Sequence, residues 1–334
     1  MIQRKKGLFL KKCFWDRWIE LQIVRDLSTF FELNTEQSTD KGMCKSAVAI
    51  GKFDGIHIGH QALLQCIINK KKDGMRAVVF TFSPSPEEFF RGQLLPVIDT
   101  VEEKRVNFEK MGVDVLIEYP LTKESASISP QSFMEEILYK GLNAGYVVSG
   151  RDLSFGDKGA GNADMLLAFA SEKGFVYEMI DKVCIDGCEV SSTSVREHII
   201  KGDMEAVSRM LGRRYRVGGE VVHGKALGRT IQVPTINIVP AGKKLLPPSG
   251  VYATVTVIDG EEYRGITNIG VKPTVSDEKI IGVETHLFDF DKDVYGKNVV
   301  TELISFIRPE MHFSSVEDML TAIKRDCVYA RTLF

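Results

Sequence analysis

Cysteine is scarce in this chain, and its spacing excludes several kinds of site. The 334 residues include no CxxC pair, and the six cysteines are scattered: Cys13, Cys44, Cys66, Cys184, Cys188 and Cys327. Cys184 and Cys188 have no second pair of ligands nearby, so neither a zinc site nor a disulfide framework is indicated. Scattered cysteines of this kind are typical of a reducing compartment, and we expect a cytoplasmic protein.

Long apolar runs and an excess of charge of one sign are also missing. No stretch approaches the roughly 20 apolar residues of a membrane-spanning helix. The net charge of −2 gives no general attraction to nucleic acid or to an anionic membrane. We therefore expect small-molecule substrates as partners, no nucleic acid and no membrane, and a monomer or weak homo-oligomer. Residues 1–20 are basic but lack a signal-peptide cleavage site, and we interpret them as an extension that is a candidate for disorder.

The segment GKFDGIHIGH, which begins at Gly51, is the most informative one in the chain. The apolar run Ser46–Ile50 before it predicts a buried strand, and the amphipathic segment opened by His60 predicts a helix. Such a junction presents backbone N–H groups and the positive end of a helix dipole to a phosphate. His57 and His60 can both point at that anion, and Gly59 leaves room for it. The pattern resembles that of the HxGH nucleotidylyltransferases; a purely structural role for the two histidines is the alternative.

Apolar runs alternate with helical segments over the first half of the chain. The runs after Ser46–Ile50 are Ala77–Phe82, Val113–Glu118, Tyr146–Ser149 and Phe175–Met179. Strands that alternate with helices predict a parallel sheet covered on both faces, with ligands beyond the carboxyl ends of the strands. Two polar segments, GRDLSFG and SSTSVR, follow the later runs. SSTSVR is by itself more typical of a helix N-cap than of a phosphate site, but its pairing with HxGH favours the phosphate site.

After Gly212 the hydrophobic period changes from that of a helix to that of a strand. Alternating segments predict an antiparallel β-unit, in which Asp259-Gly260 forms a hairpin turn: Tyr215–Val222, Val251–Ile258, Glu262–Ile269, Val283–Phe288 and Val299–Phe306. A helix over Ser315–Arg331 closes the chain. We predict two domains, residues 21–211 and residues 212–334.

The second half contains its own candidate site. Thr235 and Asn237 lie two apart on an extended chain, so both can offer oxygen atoms to a Mg²⁺ ion that carries ATP phosphates. Glu284 lies in a predicted strand, where an inward-facing carboxylate is costly unless it is used. His223, His286 and His312 are interpreted as separate residues rather than as a metal cluster.

An ordered set of motifs gives the chain a family resemblance. The set is GKFDGIHIGH, TFSPSP, GRDLSFG, SSTSVR, GxVxHGxxxGR, VPTIN, SGVY, TNIGVKPT, VETHLFDF and IRPE. In this order the motifs resemble those of the bacterial bifunctional riboflavin kinases/FMN adenylyltransferases. The resemblance implies a Rossmann-like nucleotidylyltransferase domain with a parallel sheet, followed by a six-stranded antiparallel β-barrel with a terminal helix. It implies that the barrel phosphorylates riboflavin to FMN and that the first domain adenylylates FMN to FAD, with ATP and Mg²⁺.

The resemblance also assigns roles to residues. It implies that His57 and His60 serve adenylyl transfer and that Glu284 is the kinase base. It also implies that Thr235 and Asn237 hold Mg²⁺ with ATP. Asn268 and Arg308 would contact the flavin. The nucleotides would be bound by Gly51, Phe53, Asp54, Gly59, Asp152, Ser192, Thr193, Arg196, Gly219, Gly224, Gly228 and Arg229.

Some positions depart from the family pattern. Ser85 stands where a histidine is usual, Leu153 where an aromatic residue is usual, Gln232 where a glycine is usual and Ile236 where an alanine is usual. Three alternatives therefore stay open: a family member with only one of the two activities, an HxGH transferase for another phosphate ester with an unrelated barrel, and a flavin-binding or flavin-sensing protein without turnover.

Overall fold

The computed structural model describes residues 21–36, 44–224, 233–272 and 280–334. The predictions for residues 1–20, Gly228, Arg229 and Gln232 therefore lie outside the described residues. By its contacts the chain forms two compact units. The first reaches Leu95 and resumes over Val101–Val190; the second comprises Pro96–Thr100 and Ser191–Phe334. The predicted domain limits at residues 20 and 211 stay predictions.

The first unit is built from short strands and helices. Its strands are β1 (Gln22–Val24), β2 (Ser46–Ile50), β3 (Arg76–Ser83), β4 (Val115–Pro120), β5 (Ala144–Gly150), β6 (Ser154–Phe155), β7 (Gly161–Asn162), β8 (Val176–Ile180), β9 (Cys184–Ile185) and β10 (Cys188–Glu189). Its helices are α1 (Leu27–Glu36), α2 (Ile58–Asn69), α3 (Pro86–Arg91), α4 (Val101–Met111), α5 (Lys123–Ala126), α6 (Pro130–Ser132) and α7 (Ala163–Lys173), with a π-helix over Phe133–Gly141 and 3-10 turns over Lys70–Asp73 and Asp157–Gly159.

Six of these strands form one parallel sheet in the order β1-β4-β3-β2-β5-β8. The chain leaves β2 toward β3 on one side and later returns to β5 on the other, so the order reverses beside β2. Ligands of open parallel sheets bind at such a reversal, beyond the carboxyl ends of the strands. The HxGH segment follows β2 directly, which places it at this point of the sheet.

Both faces of the sheet are buried, as strands without polar alternation require. In β2 the side chain of Val48 belongs to one core cluster, with Phe80 and Phe133, while Ala47 and Ala49 belong to the other. The predicted parallel sheet is thus confirmed. The edge strand β1 was not predicted, because a strand of three residues is too short to show a period.

Among its described residues, the second unit contains a barrel and three helices. Its helices are α8 (Ser192–Lys201), α9 (Met204–Leu211) and α10 (Val316–Arg331), and its strands are β11 (Tyr215–Val222), β12 (Ile236–Ile238), β13 (Gly250–Ile258), β14 (Glu261–Lys272), β15 (Ile280–Leu287) and β16 (Asn298–Pro309). The strands close into an antiparallel barrel in the order β11-β12-β15-β14-β13-β16. The predicted barrel with a terminal helix is confirmed.

The inside of the barrel is lined partly by threonines. The Thr254 and Thr267 hydroxyl oxygens lie 2.9 Å apart, and those of Thr267 and Thr285 lie 2.8 Å apart. All three side chains are fully buried, and these hydrogen bonds satisfy their polar groups. At the turn between β13 and β14, Asp259 and Gly260 both have positive φ values, of 51° and 84°, as a tight hairpin requires.

A short piece of the first half of the chain is built into the second unit. The backbone N–H of Val97 donates to Lys243 O at 2.7 Å, and the N–H of Leu245 donates to Val97 O at 2.9 Å. The buried carboxylate of Asp99 accepts two hydrogen bonds from the Arg213 guanidinium, at 2.8 and 2.6 Å. We call Pro96–Thr100 the strap.

Candidate active sites

The turn between β2 and α2 has an unusual backbone conformation. Phe53 and Ile56 have positive φ values of 50° and 40°, which is uncommon for residues other than glycine, and Gly55 between them has a φ of 85°. The turn ends at His57, the N-cap of α2, whose Nδ1 accepts a hydrogen bond from the backbone N–H of His60 at 3.3 Å. The strained turn thus delivers both histidines of the motif to the start of the helix.

His57 and His60 lie face to face. Their ring centroids are 3.7 Å apart and their planes differ by 21°. A Cβ atom at Gly59 would lie 3.1 Å from Nδ1 of His57, so glycine is what allows the His57 ring to lie there. A Cβ atom at Gly51 would lie 3.2 Å from the Phe53 ring, whose centroid is 5.2 Å from that of His60. The structure therefore brings Gly51, Phe53, Gly59 and both histidines together.

Burial determines the charge of His60. Removal from water holds the pKa of His60 well below its usual value of 6.5, and the neighbouring charges of His57 and Lys104 lower it further. His60 is therefore neutral near pH 7 in the ligand-free protein. Its Nδ1 is buried and has no hydrogen-bond partner among the residues that the structure describes. The pair can offer N–H groups and lone pairs to a ligand, together with the N-terminal end of α2.

The other predicted residues of the first half have different local roles. Asp152 is exposed in the turn after β5, and a Cβ atom at Gly150 would lie 2.9 Å from its Oδ1. Asp54 is half-buried in the turn after β2. Ser85, at the position where the family pattern has histidine, is the N-cap of α3 and accepts a hydrogen bond from the N–H of Glu88 at 3.3 Å.

The SSTSVR segment begins α8, in the second unit. Ser191 and Ser194 form a reciprocal capping box, so the cap that was weighed as one interpretation of this segment is present. The cap does not use the hydroxyls of Ser192 and Thr193, which lie in the first turn of α8. Arg196 donates to the backbone oxygen of Pro96 in the strap at 2.6 Å.

In the barrel, three predicted residues lie in one row across three strands. Asn237 on β12 is the register partner of Glu284 on β15, and Glu284 is the partner of Asn268 on β14. Directly opposed residues of antiparallel strands have their side chains on the same face, about 5 Å apart. A one-residue difference in register would have separated them. The barrel therefore assembles an amide, a carboxylate and a second amide side by side.

The face on which this row lies corrects one expectation. The sequence pattern favoured an inward-facing carboxylate for Glu284. Its chain neighbour Thr285 and the partner Thr267 are fully buried inside the barrel, so Glu284 lies on the opposite, outer face, where it is half-buried. Alternation along a strand identifies two faces, but the sequence alone does not say which one meets the substrate.

Glycines bring the backbone close to this row. A Cβ atom at Gly224 would lie 2.4 Å from Nδ2 of Asn237, and one at Gly219 would lie 2.5 Å from the backbone oxygen of Val239. Thr235 is half-buried just before β12. The preceding residue, Pro234, is fixed through its backbone oxygen, which lies 2.9 Å from Nδ1 of His286. His286 thus supports the predicted metal-binding segment.

Arg308 and Glu310, at the end of β16 and just after it, have different partners. The Nε atom of Arg308 donates to both carboxylate oxygens of the buried Asp326 on α10, at 3.1 and 3.0 Å, so its guanidinium ties the barrel to the helix. Glu310, which sequence analysis did not single out, accepts a hydrogen bond from the Asn268 amide at 3.2 Å. Glu310 belongs to the motif IRPE, but only the folded chain shows that it lies next to Asn268.

The donor atoms beside Glu284 suit a hard cation. Thr235 and Asn237 offer neutral oxygens and Glu284 a carboxylate, the ligand types that Mg²⁺ prefers. Within the described ranges, no cluster of three or more His, Cys, Asp or Glu side chains could hold a metal ion. A site with few protein ligands fits an ion that keeps water molecules and binds substrate phosphates.

Comparisons with known proteins cover both halves of the chain. The FAD synthetase family model matches residues 39–194, and the riboflavin kinase model matches residues 211–334. Within the described residues, no helix is both long and apolar enough to cross a membrane.

Curated relatives match along most of their own length. The bifunctional riboflavin kinase/FMN adenylyltransferase of Haemophilus influenzae is 35% identical over 291 residues, which are 86% of this chain and 94% of that protein. The protein of the same name from Listeria monocytogenes is 32% identical over 305 residues, 90% and 96% of the two chains. A crystal structure described as a macrolide-efflux protein from Streptococcus pneumoniae has a TM-score of 0.79 at 28% identity and covers 92% of this chain and 97% of that one. This chain belongs to the family of bifunctional riboflavin kinases/FMN adenylyltransferases.

Proposed function

We propose that this chain performs both reactions of its family at two separate sites. The barrel phosphorylates riboflavin with ATP to give FMN, and the first unit adenylylates FMN with a second ATP to give FAD and pyrophosphate. The observation that supports this most strongly is the row Asn237–Glu284–Asn268, because it places a carboxylate between two amides on one face of the barrel. Cytoplasmic localisation, a monomer or weak homo-oligomer and the absence of nucleic-acid partners are part of the same proposal.

In the kinase site, Glu284 acts on the terminal ribityl hydroxyl of riboflavin. Its carboxylate accepts a hydrogen bond from the hydroxyl and orients the oxygen toward the γ-phosphorus of ATP. As the new P–O bond forms, the bond from that phosphorus to the bridging oxygen breaks, ADP leaves with the bonding electrons, and Glu284 takes up the hydroxyl proton. Phosphoryl transfer depends chiefly on the positioning of the reacting groups and on charge stabilisation. A carboxylate fixed in a strand positions the attacking hydroxyl. Thr235 and Asn237 would hold Mg²⁺, which supplies positive charge to the phosphates. Asn268 and Arg308 remain the proposed flavin contacts.

In the adenylyl-transfer site, His57 and His60 bind the phosphate chain of ATP. Because His60 is neutral in the ligand-free protein, it acts through hydrogen bonds beside the positive end of α2 rather than through a full charge. Gly51, Phe53, Asp54 and Gly59 shape this end of the site.

The remaining nucleotide contacts are proposed from the family pattern. They are Asp152, Ser192, Thr193 and Arg196 for adenylyl transfer, and Gly219, Gly224, Gly228 and Arg229 for the kinase. Gly224 has independent support, because its missing side chain is what leaves room for the Asn237 amide.

The replacement of Glu284 by glutamine tests the two-site proposal. Glu284→Gln keeps the shape of the side chain but removes the base, so FMN formation from riboflavin should fall by roughly 100-fold or more. FAD formation from supplied FMN should stay within twofold of wild type. The matched control is Glu262→Gln, an exposed glutamate on β14, which should leave both rates unchanged.

The converse variant is His57→Ala. It should stop the formation of FAD while riboflavin phosphorylation persists. Loss of both activities in either Glu284→Gln or His57→Ala, with the protein still folded, would contradict the proposal of two separate sites.

A further inference from the structure

A cavity opens at the carboxyl ends of β3 and β4, beside the HxGH turn. The cavity is small and open to solvent, with about 30 Å³ of space for the centre of a water-sized molecule. The polar groups that line it come from the turn after β2, the ends of both strands and the first turn of α4: Lys52, Thr81, Ser83, Lys104 and Glu118. This edge of a parallel sheet is where ligands bind, so the cavity lies in a functional position.

The charged side chains that line the cavity give it an excess of positive charge. Glu118 is already paired, since its carboxylate accepts hydrogen bonds from Arg105 at 2.8 and 2.5 Å and lies 3.8 Å from Arg25. Lys52 is exposed and Lys104 is half-buried. Within the described part of the chain, neither lysine forms an ion pair or a hydrogen bond through its ammonium group. The cavity therefore presents two uncompensated positive charges.

The cavity borders on the HxGH histidines. Phe53 lines it, and the Phe53 ring centroid lies 5.2 Å from that of His60. The charge of Lys104 also reaches His60, because it contributes to the lowered pKa of that imidazole. A phosphate group bound by the lysines would thus be close to a phosphate chain bound by the histidines.

The chemistry of adenylyl transfer requires cations at this place. A phosphate oxygen of FMN attacks the α-phosphorus of ATP, the bond from that phosphorus to the bridging oxygen breaks, and pyrophosphate leaves with the bonding electrons. Negative charge is therefore present on the attacking phosphate and grows on the leaving one. Fixed positive charges aimed at such groups lower the barrier. A buried neutral His60 does not supply a full charge, whereas Lys52 and Lys104 do.

We propose that Lys52 and Lys104 form a phosphate-binding subsite of the adenylyl-transfer site, which holds a terminal phosphate group of a substrate. The group is either the departing pyrophosphate of ATP or the phosphate of FMN, since the two share the chemistry that the lysines recognise. The proposal deepens the function proposed for the first unit and rests on it.

The test uses the full chain with Lys104→Met, Lys104→Gln, Lys104→Arg and Lys52→Met. Lys110→Met, on the exposed last turn of the same helix, is the matched control. We expect kcat/KM for FAD formation from FMN to fall by about 100-fold in Lys104→Met and Lys104→Gln. Lys104→Arg should restore most of the rate, Lys52→Met should have a smaller effect, and Lys110→Met none. Riboflavin phosphorylation should be unchanged in all five variants, and an unchanged circular dichroism spectrum and melting curve show that the first unit is still folded.

Two binding measurements distinguish the sources of the phosphate. If the lysines hold pyrophosphate, inhibition by added inorganic pyrophosphate weakens in Lys104→Met and the KM for FMN is unchanged. If they hold the phosphate of FMN, the KM for FMN rises and inhibition by pyrophosphate is unchanged.

The subsite proposal is overturned if Lys104→Met and Lys104→Gln stay within twofold of wild type in kcat/KM and in both binding measurements. His57→Ala separates this failure from a failure of the proposed function. If His57→Ala stops FAD formation and the Lys104 variants do not, only the subsite is wrong. If His57→Ala itself forms FAD normally, the assignment of adenylyl transfer to the HxGH site is wrong.

Discussion

His60 is the residue whose chemistry depends most on its surroundings. The sequence places a histidine at the start of a helix, but only the structure shows that burial and the nearby charges of His57 and Lys104 keep it neutral. In the unfolded chain the same imidazole takes up a proton near its usual pKa of 6.5. Below that pH the unfolded state therefore binds more protons than the folded one, and the folded state loses stability as the pH falls.

This difference predicts a pH dependence of stability. The free energy of unfolding of the ligand-free protein should decrease between pH 7 and pH 5, and the decrease should be smaller in His60→Gln, which cannot take up the proton. Urea unfolding followed by circular dichroism measures both curves, with His312→Gln, an exposed histidine, as the control. Parallel curves for wild type and His60→Gln would contradict the assigned state of His60.

Gly224 gives a second prediction at the residue scale. An added methyl group would lie 2.4 Å from Nδ2 of Asn237, which is the movable end of a side chain, so Gly224→Ala should displace the amide rather than unfold the barrel. We expect a loss of FMN formation of roughly 10-fold or more, as is typical when a positioned group moves by about 1 Å, with little change in melting temperature.

The control for this prediction is Gly242→Ala. Nothing lies within 4 Å of a Cβ atom at Gly242, so its kinase rate should equal that of wild type. Equal kinase rates for Gly224→Ala and wild type would show that the position of Asn237 does not matter for the kinase.

Candidate site residues could be named from the sequence where a distinctive motif carries them, but not where only their proximity in the fold marks them. Motifs single out His57, His60, Asn237 and Glu284 as candidates, and the barrel register shows that Asn237 and Glu284 are neighbours. Lys104 carries no such signal, because a lysine in the first turn of an amphipathic helix is ordinary until the cavity beside it is seen.

At the scale of elements, the strap is the feature that the sequence did not reveal. Pro96–Thr100 lies between α3 and α4, yet its backbone and Asp99 pair with the barrel unit. The Lys244 ammonium donates to the backbone oxygen of Ile98 at 2.7 Å, and the Tyr215 hydroxyl donates to the same oxygen at 3.3 Å. Irregular segments have no period, so the partner of such a segment is decided only by the folded chain.

The strap predicts a large effect of one substitution on the second unit. Asp99→Ala leaves the half-buried Arg213 guanidinium without the carboxylate of Asp99, which should cost about 2–3 kcal/mol of stability. Asp259→Asn removes the exposed ion pair with Lys297 and should cost less than about 1 kcal/mol. Chemical denaturation, with kinase activity as the readout, measures the free energy of unfolding of both variants. Similar small costs for the two variants would show that the strap is not part of the barrel unit's stable structure.

The regular elements were predicted well where they were long. The strands from Tyr215 to Val222 and from Ser46 to Ile50 agree with the observed bounds, and the Asp259-Gly260 turn is confirmed. β1 and β12 have three residues each, too few for a period of two to be recognised. After α6, the chain forms a π-helix over Phe133–Gly141, which hydrophobic periodicity does not distinguish from an α-helix.

At the scale of the molecule, two family models match successive parts of one chain, and each part forms a candidate site of its own. The two proposed reactions are consecutive, because the FMN made by the barrel is the substrate of adenylyl transfer. Ser85 and Gln232 depart from the family pattern, so they are the first positions to revert if one of the two activities is missing. Ser85 has a local role as the cap of α3, so its presence fits an intact fold around the first site.

The most direct test of the two-site account is a paired assay with Mg-ATP, analysed by HPLC. One reaction receives riboflavin and the other receives FMN. The account predicts FMN and FAD from the first and FAD from the second. If riboflavin yields only FMN and supplied FMN stays unchanged, the first unit is inactive and the account is wrong for adenylyl transfer; if only supplied FMN reacts, it is wrong for the kinase.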